Sequence, residues 1–190
     1  MVRATLALLA AAVVLHPVAP AAAPTPSAAA QAAAAKRQHA RVVEGFAAPA
    51  TLEPERFPVL GPIDFGEGDA RYGAARSGHV HAGQDVFAPA GTPLVALRGG
   101  VVVEVGDDGG RGNYIAVYTP GLHETYLYLH MLRPTSLRPH DQIVVGARVG
   151  RVGCTGSCWG DHLHLELRRG RGTLGATRDP LPLLRRLEGK

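Results

Sequence analysis

The chain has 190 residues, among them 24 glycines and 15 prolines, with few aromatics and a formal net charge of +4. Such frequent punctuation excludes an architecture of long helices and favours short strands joined by turns. The charge is modest and forms no dense basic stripe interleaved with aromatics, which excludes a charge-driven nucleic-acid surface and fits simple solubility.

In chain order, "MVR" is a short positive start and "ATLALLAAAVVL" is an apolar run. At roughly a dozen residues the run suits a secretory leader and falls short of the ~20 that span a bilayer. Ala21 and Ala23 fit a small-x-small cleavage site. A signal peptide over residues 1–23 is expected, with export and no stable membrane anchor after cleavage. Residues 24–56 are rich in alanine and proline. They favour helix by propensity but lack a regular apolar stripe, so they read as a linker or a loosely docked helix. The domain proper is expected over 57–184, with 185–190 as a tail.

From Phe57 the texture becomes glycine-punctuated, and from His79 strand signals follow one another. "TPLVAL" and "GGVVVEVG" are β-branched runs; "NYIAVYT" and "ETYLYLHM" flank the turn "PGLH" and read as a hairpin. "DQIVVGARVGRVG" and "HLHLELRRG" close the series. No long helical pattern intervenes, so the expected class is all-β, a compact sheet or partly open barrel. Within "TRDPLPLLRRLEGK" one leucine turn is expected to pack against the domain.

Alternation places the chemistry. In "CWGDHLHLELRRG", Leu163, Leu165 and Leu167 fall on one parity, and His162, His164 and Glu166 on the other. In "GHVHAGQDV", His79, His81, Gly83 and Asp85 share one parity if extended. In "ETYLYLHM", Glu124, Tyr126, Tyr128 and His130 share one, with Leu127 and Leu129 opposite. Three segments thus present imidazole or carboxylate against an apolar backing. Zinc takes such ligands at ~2.0–2.2 Å, and a catalytic zinc keeps three protein ligands plus water. Histidines off the metal can then move protons or stabilise an anion. Singly, each histidine reads as a surface or core residue; the joint pattern points to a site. His16 falls in the leader, His39 in the linker, His123 in a turn and His140 after a proline. His79 stays open between joining His81 on the site face and merely lining the cleft.

Cys154 and Cys158 are the only cysteines. In an exported chain so close a pair reads first as a disulfide stiffening a turn. A zinc reading with His162 and His164 as further ligands ranks second, since the spacing fits no common zinc finger.

Three motifs, "HAGQD", "YLYLHM" and "GDHLHLE", occur in this order, joined by "APAGTPLVALRGGVVVEVG" and "VGARVGRVGCTG". On these the chain resembles the lysostaphin-type, LytM-like zinc metallopeptidases, which are peptidoglycan endopeptidases, over roughly Phe57 to Arg169. The resemblance implies an antiparallel sheet with a substrate groove. It implies one Zn2+ held by His81, Asp85 and His164, with His130 and His162 as the two non-ligand catalytic histidines. It implies a secreted enzyme hydrolysing peptide bonds in the stem or cross-bridge of peptidoglycan, whose peptides are then its partners. Some relatives of this fold have lost their ligands and serve as wall-binding or hydrolase-regulating modules, the alternative reading. Two departures stand out: Leu165 replaces a common aromatic, and His140 a common turn glycine. Glu166 reads either as a partner orienting a ligand histidine or as an ordinary strand glutamate, and Tyr128 as site-lining or structural.

Overall fold

The computed structural model of the protein describes residues 55–189. The expected leader and the expected linker up to residue 54 lie outside the described residues, as does Lys190.

Among the described residues eleven strands and one short α-helix follow in order: β1 (Ala75–Arg76), β2 (His79–Val80), β3 (Gln84–Phe87), β4 (Pro93–Val95), β5 (Gly100–Asp108), β6 (Gly112–Thr119), β7 (Glu124–Met131), β8 (Gln142–Ile143), β9 (Arg148–Arg151), β10 (His162–Arg169), β11 (Thr177–Arg178) and α1 (Leu181–Leu187). Every pairing among the described residues is antiparallel. The main sheet runs β11-β10-β7-β6-β5-β8, and β3 also pairs with β10. β3 takes the start of the outer edge of β10, at His162–Leu165, and β11 takes its end, at Leu167–Arg168. Two smaller ladders, β1–β2 and β4–β9, complete the fold. The long strands are rich in valine, tyrosine, isoleucine and leucine, which fit a pleated, half-buried surface. The expected β6–β7 hairpin forms, turning through a short 3₁₀ segment at Pro120–Leu122.

Directly paired residues lie on one face of a sheet. Leu165 stands opposite Tyr128, and Leu167 opposite Tyr126. These four, with Leu163, join the main core with Leu94 of β4, Val149 of β9 and Leu184 and Leu187 of α1. The other face carries a smaller cluster of Tyr114, Ala116, Leu127 and Leu129, in register with His164 and Glu166. This corrects the parity reading of β7. Tyr126 and Tyr128 belong to the leucine face of β10, while Leu127 and Leu129 share the histidine face. Tyr128 is therefore structural, and its hydroxyl accepts the Leu97 N–H at 2.8 Å.

The leucine turn expected near the C-terminus is α1, which runs past residue 184, where the sequence reading ends the domain, and buries Leu187. Glu55 is ion-paired to Arg98 and to Arg186 of α1, tying both ends of the described chain together.

Tyr128→Phe leaves the buried Leu97 N–H without its acceptor, so unfolding in urea should show a loss of about 1–3 kcal/mol.

Candidate active site

The segment "HAGQD" makes a close turn from β2 into β3. Its glycine has a steric reason: a Cβ on Gly83 would sit 2.4 Å from the Leu165 carbonyl oxygen and 2.7 Å from His164 Nε2. With hydrogen there instead, the chain presses against β10, and Asp85 pairs directly with His164 across the ladder. Gln84, on the opposite face, is buried and donates its amide to the carbonyl oxygens of Phe65 (2.9 Å) and Asp85 (2.7 Å).

Three donor atoms converge. His81 Nε2 lies 3.0 Å from Asp85 Oδ1 and 2.9 Å from His164 Nδ1, and the latter lies 2.8 Å from Asp85 Oδ1. All three side chains are buried. The far side of each ring decides what those atoms are. His81 Nδ1 is 2.7 Å from the Arg71 carbonyl, which can only accept, so Nδ1 carries the proton and Nε2 a lone pair. His164 Nε2 faces Glu166 Oε1 at 3.3 Å, and that carboxylate is held by Arg168 Nε at 2.6 Å. In the neutral ring His164 Nδ1 is then the lone-pair atom. Two nitrogen lone pairs and a carboxylate oxygen thus meet at hydrogen-bond distance. They repel unless positive charge lies among them, as a shared proton or a metal ion. The set can hold a metal ion, its ligand atoms all lying within 4.8 Å of one another.

Two more imidazoles adjoin it. His162 Nε2 is buried, has no hydrogen-bond partner and lies 3.5 Å from Asp85 Oδ1. Its Nδ1 is 2.7 Å from the Gly160 carbonyl. His130 Nδ1 is 2.8 Å from the Thr155 carbonyl. The rings of His130 and His162 are 5.0 Å apart, centre to centre. His130 reaches this place irregularly. Its parity is that of Tyr128 and the core, but its backbone is left-handed, φ 60°. The ladder to β6 shifts register beside it. The twist swings the ring across to the histidine face.

The electrostatics follow from burial and pairing. Burial alone would raise the Asp85 pKa, yet positive charge shared with the His164 and His81 rings that face Oδ1 holds it far below the carboxylate range. Burial would depress His164, but the carboxylates of Asp85 and Glu166 outweigh it and raise the ring's pKa. Glu166 is brought down to about 2: burial works against this, and His164 and Arg168 prevail. Burial lowers His162, opposed in part by Asp85. His130, buried with only the Thr155 carbonyl as a close partner, is pushed down to about 4.

The structure therefore brings together His81, Asp85, His164, His130 and His162. It leaves His79 and His140 exposed, and His123 outside the cluster against the Tyr118 hydroxyl. Cys154 and Cys158 form the expected disulfide. The sequence reading missed Arg76, which donates to Asp85 Oδ2 at 2.6 Å. It sits in a short hairpin whose pattern carries no periodic signal. The carbonyls of Arg71, Thr155 and Gly160 were missed too, and no side-chain type marks a carbonyl.

Fold and site together define a β-sheet domain with a buried His–Asp–His set that can hold a metal ion, flanked by two further imidazoles. The chain belongs to peptidase family M23, whose model matches residues 79–177. It is 30% identical to lysostaphin from Staphylococcus simulans over 122 residues, covering 63% of this chain and 24% of lysostaphin. The catalytic domain of that protein superposes with a TM-score of 0.55 at 30% identity, over 63% of this chain and 90% of that one. Peptidoglycan DD-endopeptidase ShyC from Vibrio cholerae is 32% identical over 111 residues, covering 55% of this chain and 25% of ShyC. A zinc containing peptidase from Vibrio cholerae superposes with a TM-score of 0.50 at 27% identity, over 60% of this chain and 36% of that one. The chain thus spans about a quarter of the length of these curated relatives.

Two outcomes follow from this geometry. Gly83→Ala forces β3 away from β10, and urea unfolding should show a loss of about 1–3 kcal/mol from overpacking. For His130 the folded pKa lies near 4, below its ordinary 6.5. The fold thus favours the neutral ring, and this contribution is complete above pH 6.5 and lost as pH falls towards 4. Asparagine tolerates the left-handed backbone. In chelator-treated protein, His130→Asn should lose about 2 kcal/mol less stability than wild type between pH 6.5 and 4.5.

Proposed function

We propose that the chain is a secreted, zinc-dependent endopeptidase that hydrolyses peptide bonds in the stem or cross-bridge of bacterial peptidoglycan. The observation that carries this reading is the convergence of lone-pair atoms from His81, Asp85 and His164 beside the rings of His130 and His162. Two imidazole nitrogens and one carboxylate oxygen are a ligand set that zinc accepts while keeping a position open. ShyC is named for a peptidoglycan activity, which supports the substrate, and the Vibrio structure is described as zinc containing, which supports the ion. The leader read over residues 1–23 supports export. No helix among the described residues is long and apolar enough to cross a membrane.

When bound, zinc supplies polarisation of the scissile carbonyl and lowers the pKa of water at the open position. His81, Asp85 and His164 would be its ligands. Arg71 and Glu166 hold the two ligand rings in the tautomers that leave Nε2 of His81 and Nδ1 of His164 free. His130 and His162 have Nδ1–H committed to carbonyls, so each neutral ring offers Nε2 as a base. One of them takes the proton of the attacking water. The imidazolium so formed then passes that proton to the departing amine. A ring facing the tetrahedral oxyanion must carry a proton on Nε2, so that role falls to an imidazolium. Depressed pKa values keep both rings ready as bases at neutral pH.

Purified cell wall tests the reading. Wild type with one zinc per chain should release new amino groups, a chelator should abolish the release, and stoichiometric zinc should restore it. His162→Ala should keep zinc and lose about 10²–10⁴ in rate, while His164→Ala should lose zinc. Folded, zinc-loaded wild type that releases no amino groups would overturn the enzyme reading in favour of a wall-binding or hydrolase-regulating module.

A further inference from the structure

We infer that the Cys154–Cys158 disulfide is a positioning device for catalysis: it holds the Gly160 carbonyl that orients the His162 ring. The inference rests on the reading of His162 as a proton-handling residue. The loop from Gly153 to Asp161 joins β9 to β10 and supplies one carbonyl to each non-ligand histidine, Thr155 to His130 and Gly160 to His162.

The two halves of this loop are held differently. The Thr155 half is tied to neighbouring strands. Thr155 Oγ1 donates to the Met131 carbonyl (2.8 Å) and accepts the Asn113 N–H (2.9 Å). Ser157 N–H donates to the Gly110 carbonyl at 3.0 Å. Gly156 packs so closely that a Cβ there would lie 2.3 Å from Gly112 N. Gly160 has no such packing: nothing lies within 4 Å of where its Cβ would stand, and the main-chain bonds on this side fall on its neighbours, from Ala88 N–H to the Asp161 carbonyl (3.4 Å) and from His162 N–H to the Gly153 carbonyl (3.2 Å). Its N–H instead donates to Cys154 Sγ at 3.2 Å, and Cys158 Sγ lies 3.7 Å from His162 Nδ1. The bridge thereby carries the anchoring of the Thr155 half across to the Gly160 half. Between them Trp159, exposed and the only tryptophan in the chain, rests on Phe87, whose ring lies tilted against His162, centroids 5.6 Å apart.

This asymmetry makes the inference testable. The bridge closes a short loop, a sequence separation of 4, and a large core lies elsewhere, so its loss leaves the fold in place. The full chain carrying Cys154→Ser and Cys158→Ser is loaded with zinc and examined by NMR of the imidazole N–H groups. The Nδ1–H signal of His162 should broaden or vanish through exchange, while that of His130 persists. Zinc should stay at one per chain. On wall peptides kcat should fall by about 10- to 100-fold, the cost of a misoriented group, with KM changed by less than about threefold. Trp159 emission should change with the loop. Retention of both ring signals with unchanged kcat would overturn the inference. So would equal loss of both signals, which would make the bridge a general staple of the loop. Should the double variant fail to fold, wild type reduced by a phosphine and then reoxidised reports on the same two signals. The ring signals need no substrate. A wild type without turnover would therefore sink the enzyme reading while the positioning result is read separately.

Discussion

A carboxylate with no exposed surface governs this part of the molecule. Asp85 is wholly buried, and an isolated charge there would be severely destabilising. Its two oxygens meet the problem on opposite sides, Oδ1 only with positive charge shared among its imidazole neighbours, as a proton or a metal ion. Oδ2 is met by Arg76 from the β1–β2 hairpin, and Oδ1 by His81 and His164. Each partner comes from a different part of the chain, so satisfying one charge fixes the hairpin, the glycine turn, β3 and β10 relative to one another. The antiparallel ladder makes the central contact automatic, because Asp85 and His164 are a direct cross-strand pair. Arg76 also leaves only Oδ1 directed at the imidazoles.

How much of this could be read from the sequence depends on whether a residue's place follows from a repeat. The alternation of β10 was legible in full: three leucines enter the main core, and His162, His164 and Glu166 face the other way. The hairpin of β6 and β7 and the disulfide were legible for similar reasons, a turn between β-rich runs and a close cysteine pair. His130 was found through its motif but placed on its face by a wrong argument. Period-two alternation would send it into the core with Tyr128, and a single left-handed residue reverses it. Nothing in "YLYLHML" announces that change, because histidine is not a residue that demands it. Gly83 was legible as a motif glycine, but its reason, a carbonyl and a ring where a Cβ would go, exists only once β3 and β10 are paired.

Four rings in this cluster have one nitrogen committed to an acceptor: His81 to Arg71, His130 to Thr155, His162 to Gly160 and His164 to Glu166. Three of the four acceptors are main-chain carbonyls. A carbonyl is always present and never protonated, so it fixes a tautomer without adding another titrating group. Its position depends on the path of the backbone rather than on the side chain at that residue. The chemistry of the site is thus set partly by loop shape, which composition and spacing do not encode. Only the Glu166 acceptor is a side chain, and that one the sequence reading had marked.

The left-handed residue at His130 shows how strain and function meet. For a non-glycine residue such a conformation costs on the order of 1 kcal/mol or more, and it survives only where surroundings over-determine it. Here the Arg111 carbonyl takes the His130 N–H at 2.9 Å, and the Thr155 carbonyl takes its ring. Tyr128, two residues earlier, is locked in the core by its hydroxyl. β7 is consequently pinned to one face immediately before it must deliver a side chain to the other. A regular strand cannot supply both a core tyrosine and a site histidine at that spacing. The twist reconciles them, and it lets β7 pack as a central strand of the sheet while giving an imidazole to a cluster that β3 and β10 build on the opposite face.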